Sequence, residues 1–191
     1  MKAEKILVTA AIAALILRYY HMPLSAQLLI LSMGALAILY FGIGNKIFKT
    51  EEVIEGNSIL SKAGRFVFSL IPIGILFKLL YWPNSSMFLM IGMIGGIIIL
   101  TATLREKSKA DDEMKAGYTV PLRRAFILTA LSLCLYFTPT ATLIKIQYRD
   151  DPELAKLKTY RFVENPTKED YEKRLADYNQ KKDSLEHLNK K

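Results

Sequence analysis

Residues 87–104 decide the fold: they read MFLMIGMIGGIIILTATL and contain no charged side chain. The hydrocarbon core of a bilayer is about 30 Å thick, so a helix that crosses it needs roughly 20 apolar residues, with about 17 as the lower limit. This stretch meets that length. The sequence therefore predicts a membrane-spanning helix here.

Four more apolar stretches accompany it, and they comprise residues 6–20, 24–43, 66–82 and 125–137, the last with an alternative end at 146. No small-residue cleavage site follows the first stretch, where Arg18-Tyr19-Tyr20-His21 comes instead, so an uncleaved anchor is favoured over a signal peptide. We expect an all-α, polytopic membrane protein with about five transmembrane helices and a helical C-terminal tail.

Composition excludes several other classes of protein. The chain is 51% hydrophobic, with one cysteine, Cys134, that cannot pair within the chain. Disorder, a collagen-like chain and a disulfide scaffold are thereby excluded. The net charge of +8 suggests a nucleic-acid binder. However, the basic residues flank apolar stretches, as in membrane proteins, so no nucleic-acid partner is expected.

Two very short connections predict tight helical hairpins. The first is His21-Met22-Pro23 and the second is Tyr81-Trp82-Pro83-Asn84-Ser85. Neither contains Lys or Arg, whereas the N-terminus and the two longer loops together contain 12 Lys and Arg residues. The positive-inside rule then places the N-terminus in the cytoplasm. A fifth span puts the tail in the periplasm; if that span does not cross, the tail is cytoplasmic.

The two hairpins match at an offset of 60 residues, which aligns Arg18 with Lys78, Pro23 with Pro83 and Ser25 with Ser85. This favours a duplication, with chance similarity between two apolar hairpins as the alternative. The predicted domains are a transmembrane domain, 1–147, and a charged helical tail, 148–191. The former contains tandem repeats at about 1–60 and 61–120 and a half-repeat at 121–147.

A few residues stand out within the apolar stretches. Arg18 and Lys78 are cations near the hairpin tips, where they either bind an anionic lipid or a partner carboxylate or extend to the headgroups. Trp82 is predicted to contact lipid or a partner beside them. The cluster Gly92, Gly95 and Gly96 indicates a face for close helix packing, since small residues let backbones approach.

Reactive constellations are absent from the sequence. No Asp or Glu lies within the five apolar stretches, so the usual carboxylate of a proton relay is missing. His21 and His187 are far apart in the sequence, and no glycine-rich phosphate loop or nucleophile elbow occurs. No catalytic residue, cofactor or metal site is predicted, and the protein is not expected to be an enzyme.

The tail carries helix signals. Asp150-Asp151-Pro152-Glu153 predicts the acidic start of a short helix, and Thr167 followed by Asp170 predicts the cap of a longer one. The longer helix has an apolar stripe available to a partner, formed by Tyr171, Leu175, Tyr178, Leu185 and Leu188. A solvated rod is the alternative.

The run Gly74-Ile75-Leu76-Phe77-Lys78-Leu79-Leu80-Tyr81-Trp82-Pro83 resembles the membrane segment of the GldL family over residues 68–100. Those are inner-membrane proteins of gliding motility and type IX secretion in Bacteroidota. The resemblance implies a bacterial inner-membrane protein of an envelope apparatus. GldL-type proteins have a single hairpin and a membrane-embedded glutamate for ion-driven rotation, which no position here matches.

Two functional hypotheses follow from the sequence. The first is a non-catalytic, multi-pass subunit or scaffold of a cell-envelope complex, with membrane lipids and other membrane or periplasmic proteins as partners and homo-oligomerisation left open. The second is a small transporter or lipid-binding protein that uses Arg18 and Lys78 beside a cavity near Pro72.

Overall fold

The computed structural model describes residues 2–48, 58–111 and 115–189, and these residues form helices and turns but no strand. The all-α class is therefore confirmed. The helices are α1 (Lys2–Tyr19), α2 (Ser25–Phe48), α3 (Ser58–Leu79), α4 (Ser85–Lys109), α5 (Thr119–Phe137), α6 (Thr140–Gln147), α7 (Pro152–Thr159) and α8 (Lys168–Asn189). A 3-10 turn, Ala116–Tyr118, precedes α5, and a π-helical turn, Tyr160–Glu164, follows α7.

Three segments of the described residues are long and apolar enough to cross a membrane, namely Ser25–Gly42, Ser85–Lys109 and Ala116–Phe137. The length and the apolar composition of these helices therefore identify the chain as a membrane protein. Charges near both ends set α1 and α3 apart from these three segments: α1 includes Lys5 and Arg18, and α3 includes Arg65 and Lys78.

The fifth apolar stretch differs from its sequence-based bounds. Its helix begins earlier, at Thr119, and ends at Phe137. The alternative in which the helix continues to residue 146 is wrong, because Thr138-Pro139 intervenes and a separate helix starts at Thr140. Proline has no N–H for the helical ladder and disfavours helical backbone in the residue before it.

The chain divides into two compact units, Met1–Phe137 and Thr138–Lys191. The second unit includes α6, which the sequence assigns to the end of the transmembrane domain. Both helix starts expected in the tail are confirmed. Asp151 precedes α7 and accepts a hydrogen bond from the Leu154 N–H at 2.9 Å. Thr167 precedes α8 and accepts one from the Asp170 N–H at 3.3 Å.

In the first unit each helix packs against the next along the chain, and α3 also packs against α5. α3 is the centre of this arrangement, since Phe68 and Ile71 on it are fully buried. The core continues onto α2 and α4 through Leu29 and Leu89, which are also fully buried. Burial of such side chains is the main stabilising term that a packed bundle adds to its helices.

Two turns join α1 to α2 and α3 to α4, and they share one backbone geometry. Each contains two residues with left-handed φ angles: His21 at 55° and Leu24 at 67°, Tyr81 at 59° and Asn84 at 63°. Each helix also closes with an N–H that reaches back to the carbonyl five residues earlier: Met22 to Leu17 at 2.9 Å and Trp82 to Phe77 at 2.8 Å. The turns are thus alike in backbone as well as in sequence.

The glycines of α4 lie where α3 and α5 come closest to it. A Cβ atom added at Gly92 would lie 2.6 Å from Cγ1 of Ile71, and one at Gly95 would lie 2.7 Å from Cγ2 of Val67, both on α3. At Gly96 the added atom would overlap Oγ1 of Thr129 on α5. Only glycine fits these separations without a shift of the neighbouring side chains or their helix.

Gly96→Ala is expected to lower the free energy of unfolding by about 1–3 kcal/mol, because the added methyl group overpacks the contact with Thr129. Gly34→Ala on α2 is the matched control, since nothing lies within 4 Å of a Cβ there. The control should be neutral or slightly stabilising, as alanine is the better helix former. Thermal unfolding of the full chain in detergent measures both, and equal midpoints for the two variants would contradict the packing described here.

Candidate functional site

The first unit contains a cavity of about 510 Å³ among α1, α2, α3 and α5. Its walls are almost entirely apolar. They consist of Val8, Ala11, Ile12 and Leu15 from α1, Met33 and Leu36 from α2, Pro72, Ile75 and Leu79 from α3, and Ile127, Leu128, Leu131 and Leu135 from α5. Small-molecule sites occupy about 300–1,000 Å³ and combine such walls with a few polar groups. The cavity therefore has the size and lining of a site for an apolar ligand.

Three polar residues, Glu4, Tyr40 and Arg124, complete the lining. The Arg124 guanidinium donates to Oε2 of Glu4 at 2.6 Å, and the Tyr40 hydroxyl donates to Oε1 at 3.0 Å. Both carboxylate oxygens of Glu4 therefore have partners, although Glu4 and Tyr40 are only 9% and 3% exposed. We call Glu4, Tyr40 and Arg124 the polar end of the cavity.

A buried ion pair stays charged when hydrogen bonds replace the lost water, and removing one partner leaves an uncompensated charge that is strongly destabilising. Here one positive and one negative group cancel, and the tyrosine supplies the remaining donor. The polar end thus ties α1, α2 and α5 together at one end of an otherwise apolar space.

The sequence indicates neither Glu4 nor Arg124 as site residues. Glu4 lies just before the first apolar stretch, and Arg124 belongs by sequence to a basic loop. One signal was present, because Glu4 is the sole acidic residue among the first 50 positions of the sequence. An isolated acid beside an apolar stretch needs a cationic partner if it is to be buried.

Arg18, Lys78 and Trp82 lie near the turns and do not line the cavity. The Arg18 guanidinium donates to the Leu79 carbonyl at 3.1 Å, so it satisfies a carbonyl at the C-terminal end of α3. Lys78 is 4% exposed, and the Trp82 ring packs edge-on against Phe77 with centroids 5.0 Å apart. The lipid-binding hypothesis names Arg18, Lys78 and Pro72, and of these three residues Pro72 lines the cavity.

The tail stripe makes contacts within the second unit. Tyr171 is 7% exposed, and the guanidinium carbon of Arg161 lies over its ring, 4.8 Å from the ring centroid. The Tyr178 hydroxyl donates to the second carboxylate oxygen of Asp151, the residue that caps α7. Leu175 is half-buried, whereas the side chains of Leu185 and Leu188 lie outside the described part of the chain.

The Tyr178–Asp151 hydrogen bond shifts both titrations. It raises the pKa of Tyr178 to about 12 and holds the pKa of Asp151 below its ordinary value. Because the Tyr178 pKa is raised above about 10 for a free tyrosine, this bond contributes full stability below about pH 10 and is lost as pH rises through 12. For Asp151 the contribution is present above about pH 4 and is lost as pH falls through the depressed pKa.

Asp151→Asn should lower the pKa of Tyr178 from about 12 towards the ordinary tyrosine value of about 10, because the acceptor loses its charge. Asparagine still caps α7, so the helix start is retained. Ultraviolet difference titration of the full chain, with Tyr178→Phe to identify the signal, measures the shift. A Tyr178 signal that titrates identically in both backgrounds would show that the two side chains do not interact.

Among the residues that the structure describes, no group of three or more His, Cys, Asp or Glu side chains could hold a metal ion. In comparisons with known proteins, the chain matches no protein-family model, no curated protein and no solved structure. The relation to GldL stays a prediction from one segment. The cavity and its polar end are therefore the features of the molecule that bear on its function.

Proposed function

We propose that this protein is a non-catalytic integral membrane protein that binds one chain of an amphiphilic lipid in the cavity among α1, α2, α3 and α5. The observation that carries the proposal is an apolar space of about 510 Å³ that ends at buried, hydrogen-bonded Glu4, Tyr40 and Arg124. Such a space accepts a hydrocarbon chain along its walls and a polar group at one end. An unfilled void forfeits dispersion contacts with its lining, so occupancy by a chain is stabilising.

The membrane arrangement that accompanies this function has five crossings. Beyond the three segments that are apolar enough by themselves, α1 packs along α2, and α3 packs along α2 and α4. A helix that packs along a spanning helix crosses the membrane with it. Basic residues at the N-terminus and in the longer loops favour the cytoplasmic side of a bacterial inner membrane for both. After five crossings the tail then lies on the periplasmic side.

A subunit role relies on two surfaces, the glycine face of α4 and the apolar stripe of the tail. The glycine face is in contact with Val67, Ile71 and Thr129 of the same unit. The stripe is engaged through Tyr171 and Tyr178 within the second unit. Both surfaces are therefore used inside the chain, which favours lipid binding over the subunit role.

Ala11→Phe is expected to abolish retention of the bound lipid, because Ala11 lines the cavity at 3% exposure and the added ring fills part of its volume. Ala13→Phe adds the same ring to a half-buried position of α1 that does not line the cavity, so it is the matched control. Native mass spectrometry of the full chain, after extraction in mild detergent, measures the retained mass. Equal retention by both variants, or none by the unmodified chain, would refute lipid binding in this cavity.

The five-crossing arrangement predicts the side of the tail. Alkaline phosphatase fused after residue 148 should be active, because the enzyme folds only outside the cytoplasm, and the same fusion after residue 50 should be inactive. A fluorescent protein at the two sites should give the opposite pattern. An inactive phosphatase after residue 148, with fluorescence at that site, would place the tail in the cytoplasm and reduce the crossings to four.

A further inference from the structure

The cavity opens sideways between α1 and α5. Val8 and Ile12 on α1 line the cavity and are 37% and 53% exposed. Ile127 and Leu131 on α5 line it as well and are 55% and 42% exposed. A side chain that lines a cavity and is also exposed lies at its rim. The rim is thus apolar on both sides and, in a membrane, faces the hydrocarbon tails of lipids.

The length of the cavity along α1 and α5 suits one acyl chain. Its lining residues on α1 run from Glu4 to Leu15, and those on α5 run from Arg124 to Leu135. Each pair is eleven positions apart, which is about 16 Å at the rise of an α-helix. Half of a hydrocarbon core is about 15 Å. One acyl chain of a bilayer lipid spans that depth.

Charge places the headgroup of such a lipid at the polar end. Lys2, Lys5 and Arg123 are exposed close to Glu4 and Arg124 along the chain, as cations at headgroup level are. The polar end is therefore the end of the cavity nearer to the headgroups, and the apolar walls run inward from it.

The ion pair between Glu4 and Arg124 bridges the sideways opening at this end. α1 packs along α2, and the salt bridge between Glu4 and Arg124, at 2.6 Å, joins it to α5 across the opening. Separation of α1 from α5 requires this pair to break. Truncating one partner of a buried, hydrogen-bonded charge pair mainly raises dissociation rates.

Building on the proposed function, we infer that a bilayer phospholipid inserts one acyl chain sideways between α1 and α5 and that the Glu4–Arg124 ion pair is the latch that slows its exchange. The headgroup stays at the polar end, outside the apolar walls. The site therefore takes its ligand from the surrounding leaflet.

Exchange is measured on the full chain with Trp82→Phe and Leu135→Trp, which moves the protein's one tryptophan into the cavity wall. In detergent micelles, added phosphatidylcholine with brominated acyl chains should quench this fluorescence as it replaces the bound lipid. Adding Ala11→Phe should abolish the quenching, which separates occupancy of the cavity from contact with lipid on the outer surface.

In this background Arg124→Gln should accelerate quenching about tenfold, because the latch is broken. Lys62→Gln removes an exposed charge that does not line the cavity and should leave the rate unchanged. The double variant Glu4→Gln with Arg124→Gln avoids an unpaired buried carboxylate, so it tests the latch even if Arg124→Gln alone does not fold. It should also exchange faster than the parent protein.

The outcomes separate the two claims. Unchanged rates in both latch variants, with quenching that Ala11→Phe still abolishes, overturn the latch and leave lipid binding in place. Quenching by brominated free fatty acid but not by the phospholipid overturns the assignment of the ligand to the leaflet. No quenching in the parent protein by either compound overturns the latch and the proposed function together.

Discussion

The close approach of α4 to α3 and α5 is the constraint on which the first unit depends. At Gly92 and Gly96 the neighbouring side chains occupy the space where a Cβ atom would be. Because α3 and α5 both approach α4 so closely, they also contact each other. Phe68 and Ile71 on α3 are fully buried as a result. α1 packs mainly on α2 and brings only the small side chains of Ala11 and Ala14 to this core. Tight packing on one side of α3 and open volume on the other are therefore consequences of one arrangement.

The Glu4–Arg124 pair explains how a charged residue in the first turns of α5 can be buried. From the sequence, residues 119–124 are expected to belong to a basic loop and not to a spanning helix. In the structure they form the first turns of α5, and the Arg124 charge is neutralised by Glu4. Desolvating a lone guanidinium is costly, whereas a paired and hydrogen-bonded one is tolerated. A contact between residues 120 positions apart thus makes the burial of Arg124 tolerable.

This contrast defines what the sequence could predict. The helix starts at α7 and α8 were predictable, because Asp151 and Thr167 act on N–H groups three residues away. The end of α5 before Pro139 was also open to prediction, since proline acts on its immediate neighbours. The sequence suggests a cavity near Pro72, but neither its other walls nor its polar end could be predicted. A cavity is a deficit of side-chain volume between helices, and its position depends on which helices meet.

The repeat shows how such a deficit arises from two similar halves. At the offset of 60 that aligns the turns, the buried Phe68 and Ile71 of α3 correspond to Val8 and Ala11 of α1. The larger side chains fill the centre of the bundle, and the smaller ones line the cavity. Two segments with the same turn geometry therefore differ in the volume that they bring to their neighbours. The proposed binding site lies where α1 departs from its counterpart, because equal side chains in both halves would close the space that a lipid chain needs.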